Sequence, residues 1–370
     1  MRLKFLRPLY EDNGWFVSVY LDTSRAAEDA ASAVSLRWRR VCEDLSRDGA
    51  DPATLDAAGA VVTDPANAAP CRAVFARSGS VAFTASAPEP PPREIARWAR
   101  LPDLMPLLAH YPPKVPQILV SASRSGGEVL AVRGADNVLG ARVDGHGWPA
   151  HKASAGGWSQ KRFERTAEEA WDENARELAA VVAGAASRAG AEAVVVAGDV
   201  RARSLLVEKL PAGLRDRSVV VDRELSVASD AMAEAADEAV AAITDLDCRT
   251  RLAAFRDQLG TGRAVEGLPE SVAALRDGQV AELFVSGGEV SPVPAWASED
   301  AWIGPGLADI AMSADDLAER GVADVAADSA GAAVVRALAG TDAALYFVPE
   351  GEQPPRDGIG ALLRYAAPGA

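Results

Sequence analysis

The sequence predicts an α/β protein of three domains: a small α/β domain over residues 1–112, a middle domain with a mixed sheet over 113–240, and a three-layer α/β sandwich over 241–370. Three observations carry that expectation. The chain has 370 residues, 49% of them hydrophobic, enough to bury two or three cores of ordinary size. Segments with the two-residue period of strands alternate with segments of helical period. Prolines at Pro88, Pro90, Pro91 and Pro92, and again at Pro112 and Pro113, can continue neither a strand ladder nor a helix, so they punctuate the chain.

In the first domain Trp15 to Asp22 alternates as a strand, and Arg25 to Arg47 carries Ala30, Val34, Val41 and Leu45 at helical spacing. Cys71 to Ala85 reads as a hairpin turning at Ser78-Gly79. The middle domain opens on strands at Gln117 to Ser121, Glu128 to Arg133 and Gly140 to Val143. A long amphipathic helix follows from Gln160 to about Arg188, then a strand at Ala193 to Ala197, a helix at Val200 to Leu210 and a strand at Ser218 to Val221. A helical pattern from Ser226 to Leu259 leads into the third domain. There, helix and strand alternate at Ser271 to Asp277, Val280 to Val285, Asp315 to Arg320, Ala330 to Leu338, Ala344 to Val348 and Ile359 to Tyr365.

A net charge of -15 argues at first sight against nucleic acid, because phosphate binding needs clustered Lys and Arg. The distribution matters more than the sum. Between Arg142 and Arg165 the cations Arg142, Lys152, Lys161, Arg162 and Arg165 outnumber Asp144 and Glu164, with His146 and His151 beside them. Glu168, Glu169, Asp172, Glu173 and Glu177 then turn the helix acidic. A basic tip on an acidic body repels RNA in general while admitting one shaped site; a solvated charge pattern accounts for the same residues. Arg37, Arg39 and Arg40 beside Trp38 form a second patch, read as pairing with Glu43, Asp44 and Asp48 on their own helix.

Cys42, Cys71 and Cys248 lie far apart, with no spacing that supports a disulfide framework or a zinc site, and no metal or cofactor is expected. Asp199, after a strand, has no second and third acidic residue at neighbouring strand ends to make a metal-dependent nuclease. No stretch of about 18 apolar residues occurs, so a cytoplasmic protein with neither membrane nor DNA as partner is expected. The excess of arginine over lysine and the abundance of alanine suggest a GC-rich genome.

The densest signal is Gly156-Gly157-Trp158-Ser159-Gln160 followed by Lys161-Arg162-Phe163-Glu164-Arg165. Paired glycines let backbone approach another surface without a Cβ in the way. Ser159 is expected to cap the helix, whose free amides then form an electropositive end. An ordinary Gly-Gly turn before a surface helix explains the dipeptide alone; the whole string says more. It resembles the tip loop and following helix of the middle domain in archaeal and eukaryotic class-one release factors, where Gly-Gly-Gln runs into Ser and a helix carrying Arg-Phe and a second Arg. Gly156 and Gly157 match the glycines, Ser159 the serine, Arg162-Phe163 the Arg-Phe pair and Arg165 the later arginine. Trp158 stands where the catalytic glutamine belongs. The resemblance is to the bacterial branch of that superfamily, nearest the Balon-type ribosome hibernation factors of actinobacteria, with Pelota-type rescue factors more distant.

The resemblance implies an RNase-H-like middle domain and a third domain of the kink-turn-binding ribosomal-protein type. Val272 to Leu275, Ala281 to Val285 and Gly358 to Tyr365 also resemble the family's third domain. It implies the 70S ribosome as partner, through its rRNA at the A site, and elongation factor Tu or another translational GTPase at the third domain. The chain has no Gly-x-x-x-x-Gly-Lys with which to bind GTP itself. The Asn-Ile-Lys-Ser loop with which the family reads stop codons is missing, so decoding is not expected. The ribosome-facing set is His151, Lys152, Gly156, Gly157, Trp158, Ser159, Gln160, Lys161, Arg162 and Arg165, with no catalytic residue among them. An indole has one donor and no acceptor, so it cannot orient a water as glutamine does, but it stacks on a base. Hibernation without hydrolysis is the leading expectation, and a peptidyl-tRNA hydrolase acting in release or rescue is the alternative.

Overall fold

The structure is a computed structural model and describes residues 1–11, 14–25, 30–87, 89, 94–110, 115–133, 136–144, 157–288 and 291–366. It divides into two compact units, one made of Met1–Pro112 with Cys248–Ala370 and the other of Pro113–Asp247. The first and last segments of the chain therefore fold together.

The amino-terminal segment begins with a 3-10 helix, Lys4–Tyr10, that buries Leu6 and Leu9. Strands β1 (Phe16–Leu21), β2 (Cys71–Arg77), β3 (Ser80–Ala87) and β4 (Ile95–Ala99) form an antiparallel sheet in the order β3-β2-β1-β4. Helices α1 (Ala30–Arg47) and α2 (Pro52–Thr63) cover one face, and α3 (Met105–His110) closes the segment. All six residues of β1 are buried. Successive side chains point to opposite faces: Val17, Val19 and Leu21 pack with Val34, Val41 and Leu45, while Phe16 and Tyr20 enter a core shared with the carboxy-terminal segment. Ser78 and Gly79 both have positive φ, 48° and 75°, as a two-residue hairpin turn of matching twist requires.

Helix α2 lies outside the sequence reading, although Asp51-Pro52 announces it. Asp51 accepts from Thr54 N at 2.9 Å, and proline occupies the first turn, where no amide is needed. The arginines of α1 also differ from expectation. Arg37 donates to Asp22 O at 3.0 Å and, with Arg40, pairs with Glu94 on the approach to β4, so the carboxylates come from other elements and not from Glu43, Asp44 and Asp48. Within the helix only Arg47–Asp44, at 2.9 Å, follows the anticipated pattern among the described pairs.

The middle unit holds β5 (Gln117–Ser123), β6 (Gly126–Arg133) and β7 (Asp136–Asp144), then α4 (Gly157–Ala189), β8 (Ala193–Gly198), α5 (Val200–Lys209), α6 (Ala212–Arg215) and β9 (Ser218–Val220). The sheet runs β7-β6-β5-β8-β9, antiparallel through β5 and parallel from β5 to β9, which is the expected mixed sheet. Helix α7 (Asp230–Gln258) contains the boundary between the units, at Asp247 and Cys248. Ile118, Val120, Val194 and Val196 face α4 and α5, while Leu119, Val195 and Ala197 face Met232, Ala236 and Ala239 of α7. Gly198 ends β8 at φ +114°, and a Cβ there would lie 2.0 Å from Ala122 O. Gly198→Val is expected to destabilise the middle unit by about 4 kcal/mol, through positive-φ strain plus collision with unyielding backbone. Gly190→Ala, at φ +65° in open space, should cost about 1 kcal/mol. Urea denaturation followed by circular dichroism checks the contrast.

The carboxy-terminal segment contributes β10 (Ala264–Glu266), α8 (Leu268–Arg276), β11 (Val280–Val285), β12 (Asp300–Ile303), β13 (Ile310–Ala311), α9 (Ala314–Ala318), β14 (Ala326–Ser329), α10 (Ala330–Thr341), β15 (Ala344–Phe347) and β16 (Ile359–Leu363). One sheet has the order β10-β16-β11-β15; a second, β13-β12-β14, was not read from the sequence. Leu283 and Val285 face α8 and α10, while Phe284 faces Phe255 of α7, giving helix, sheet and helix in layers. Helix α10 is buried from Ala330 to Ala339 because the amino-terminal segment covers its far side.

Polar contacts lock the two segments. The Met1 amino group donates to Leu345 O, and Leu345 N donates back to Met1 O, both at 2.7 Å. The Asp328 side chain, 1% exposed, pairs with Arg97 and accepts from Leu101 N at 2.9 Å. Asp328→Ala would orphan that amide and the Arg97 charge, and is expected to lower the unfolding free energy of this unit by about 3 kcal/mol. Asp328→Asn should lose less, since it keeps an acceptor for Leu101 N; equal losses in urea titrations would show the carboxylate's charge, and not its hydrogen bonds, to be what matters.

Candidate functional site

Helix α4 carries the candidate site. Its buried residues in the described part are Asn174, Ala175, Leu178, Ala179, Val182, Ala185, Ala186 and Ala189, so its carboxy-terminal half is the anchor. Leu178 can approach β6 closely because Gly127 has no side chain; a Cβ there would lie 2.7 Å from Leu178 Cδ2.

Polar contacts fix the middle of the helix at the ends of β5 and β8. Asn174 Nδ2 donates to Arg124 O at 2.9 Å. The guanidinium groups of Arg124 and Arg201 both pack over the Trp171 ring, their carbons 5.0 and 5.7 Å from the ring centroid. Arg201 pairs with Glu168 at 2.8 Å, and Lys209, at the end of α5, with Asp172 at 2.7 Å. The Lys209 ammonium, joined by Arg176, holds the Asp172 carboxyl below the usual range. Asp199 accepts from Arg201 N and Ala202 N at 3.0 and 3.1 Å and from Arg124 Nε at 3.1 Å. Partial burial raises its carboxyl, but these donors outweigh that and lower it. Asp199 is thus the cap of α5, with both oxygens engaged. Among the described residues no cluster of three or more His, Cys, Asp or Glu side chains could hold a metal ion.

Of the residues singled out in the sequence, Gly157, Trp158, Ser159, Gln160, Lys161, Arg162 and Arg165 occupy the first turns of α4. His151, Lys152 and Gly156 lie outside the described residues, as do the side chains of 157–167. The helix starts at Gly157, three residues before the expected position, so Ser159 falls inside the first turn instead of capping it. Glycine is tolerated there because first-turn amides have no partner within the helix. The earlier start sets the register. At about 100° per residue, positions 158, 161, 162 and 165 fall within about 100° of one another, while the buried positions from Asn174 to Ala189 spread over about 140° and include Ala179 at the angle of position 161. Position 160 lies about 200° from 158, on the anchored side.

Residues 116–261 match the Bacterial archaeo-eukaryotic release factor family 2. Over 389 aligned positions the chain is 31% identical to Uncharacterized protein Rv2629 of Mycobacterium tuberculosis strain H37Rv, covering 99% of this chain and 98% of the relative. The same figures hold for Uncharacterized protein MT2704 of strain CDC 1551. Among solved structures, the archaeal translation termination factor aRF1 is similar at 18% identity, over 98% of this chain and 96% of that one, with a TM-score of 0.24. Pelota of Archaeoglobus fulgidus is similar at 15% identity, over 80% of this chain and 79% of that one, with a TM-score of 0.35. The chain belongs to the bacterial branch of the archaeo-eukaryotic release factor superfamily. No described helix is long and apolar enough to cross a membrane.

Proposed function

We propose that this protein is a ribosome-binding translation factor of the hibernation type, near the Balon-like members of its superfamily. It occupies the A site of the 70S ribosome in the cytoplasm and sets Gly156-Gly157-Trp158 at the peptidyl-transferase centre without hydrolysing peptidyl-tRNA. The observation that carries this reading is Trp158, which replaces the family's catalytic glutamine in a string that otherwise keeps the glycines, the serine and the Arg-Phe pair. Loss of one orienting group of that kind commonly costs on the order of 100- to 1000-fold in rate. Two features support it. Gln160, the nearest glutamine, sits at a helical position turned away from that of Trp158, so it is poorly placed to substitute. Lys161, Arg162 and Arg165 share the face of Trp158 and suit rRNA phosphates. The carboxy-terminal segment then engages elongation factor Tu or a related translational GTPase during delivery.

Two measurements on the purified full chain test the proposal: co-sedimentation with 70S ribosomes and release of peptide from peptidyl-tRNA in ribosomal complexes. Binding without release supports hibernation. Release at the rate of a release factor would replace it with the rescue hydrolase, and absence of ribosome binding would remove both.

A further inference from the structure

No described residue of α4 ahead of Asn174 is buried, so the apolar anchor holds only the carboxy-terminal half of a 33-residue helix. At about 1.5 Å per residue, position 158 lies roughly 20 Å along the helix from position 171. Over that reach a tilt of about 10° moves position 158 sideways by about 3 Å, roughly one ring thickness. The angle of the tip is therefore set by whatever holds the helix just ahead of its anchor.

Trp171 is the largest described side chain at that level, and it is half-buried. Its ring carries Arg124, from the turn between β5 and β6, and Arg201, from the first turn of α5. Neither arginine is loose. Arg124 Nε donates to Asp199, Asp199 caps α5 through Arg201 N and Ala202 N, and Arg201 returns to Glu168 of α4, about one turn before Trp171. Asn174, about one turn after it, donates to Arg124 O. Trp171, Arg124, Asp199, Arg201 and Glu168 thus form a closed circuit from α4 to the end of β5, across to α5 and back. It closes because β8 ends against β5: Asp199 N donates to Ala122 O at 2.9 Å, an approach that Gly198 permits at φ +114°. Around the ring, Arg124, Asn174, Leu178, Arg201 and Leu205 leave a gap of about 10 Å³, no more than one water needs, so the ring has no room to tilt. The two guanidiniums are matched by the carboxylates of Asp199 and Glu168, so the ring is held without a ligand.

We infer that Trp171 is the positioning residue of the tip: gripped by Arg124 and Arg201, it sets the angle at which the first turns of α4 leave the middle unit, and hence where Trp158 meets the ribosome. The grip belongs to the free protein; its consequence for binding rests on the proposed ribosome-binding role. Cation–π contacts at partly exposed sites are individually weak, so losing both leaves the unit folded. What is lost is the preorganisation of the tip, which must then be ordered on binding.

Trp171→Leu and Trp171→Phe separate the grip from apolar bulk, since leucine has no π face and phenylalanine keeps one. In the full chain with Cys42→Ser, which leaves Cys71 and Cys248, both buried, spin labels on Glu164→Cys and Ser204→Cys report the angle of α4 against α5 by pulsed electron resonance, with no ribosome present. A narrow distance distribution is expected in the labelled parent and in Trp171→Phe, and a clearly broader one in Trp171→Leu, with the two variants differing little in urea midpoint. Co-sedimentation with 70S ribosomes should be about tenfold weaker for Trp171→Leu and near wild type for Trp171→Phe. An unbroadened leucine variant, a phenylalanine variant as impaired as the leucine one, or broadening with unchanged ribosome affinity would overturn the inference. A wild type that does not sediment with ribosomes would instead remove the ribosome-binding role, and the label distances would still decide the grip.

Discussion

Co-sedimentation with 70S ribosomes is expected to disappear when Lys161, Arg162 and Arg165 are all changed to glutamate. The three positions lie in the first turns of α4, before the buried positions from Asn174 onward that anchor the helix, so the substitutions should leave the Tm of the protein unchanged while removing the proposed phosphate contacts. Each phosphate neutralised adds about -0.7 to -0.9 to the slope of log affinity against log salt. With three contacts the wild type should lose roughly 20- to 40-fold in affinity between about 50 and 200 mM salt. The triple variant should bind weakly at both and lose that slope. Pelleting assays across a salt series, with circular dichroism to confirm folding, provide the measurement. An unchanged triple variant would take the first turns of α4 out of the interface.

Trp158→Ala is expected to weaken ribosome binding by about 1–3 kcal/mol, roughly 5- to 150-fold, if the indole stacks on a base. Wild type should release no peptide from peptidyl-tRNA, and Gln160→Ala should then have nothing to abolish. The rescue-hydrolase reading requires the opposite on both counts: peptide release by the wild type, lost when Gln160 is changed. Trp158→Gln restores the family tip residue, and slow release by that variant alone would locate the loss of hydrolysis in the single side chain at 158.

Local elements were legible where local chemistry specifies them. Val280 to Val285 is a strand to the residue, and Val200 begins a helix directly after an aspartate suited to cap it. The hairpin at Ser78-Gly79 follows from a dipeptide that tolerates positive φ. The long helix of the middle domain was legible too, but not its start: nothing in Gly156-Gly157-Trp158 distinguishes a glycine in a loop from one in a first turn. That small difference decides which residues share a face with Trp158. Short elements with weak periodicity, such as α2, β4 and the sheet around β12, escaped because their burial depends on neighbours distant in sequence. Asp199 shows the same at the level of one residue, since its partner Arg124 lies on the far side of a 33-residue helix.

The sequence by itself determined the longer strands and helices, the mixed sheet of the middle domain, and the Gly-Gly-Trp string with its three cations, because each rests on residue types at fixed spacing within one segment. Only the tertiary structure decided that residues 1–112 and 248–370 close on a common core. Phe16 and Tyr20 look like the second face of an ordinary half-buried strand, and the apolar run of α10 like any buried helix. What covers them is more than two hundred residues away along the chain, and a hydrophobic face records that it must be buried without recording against what.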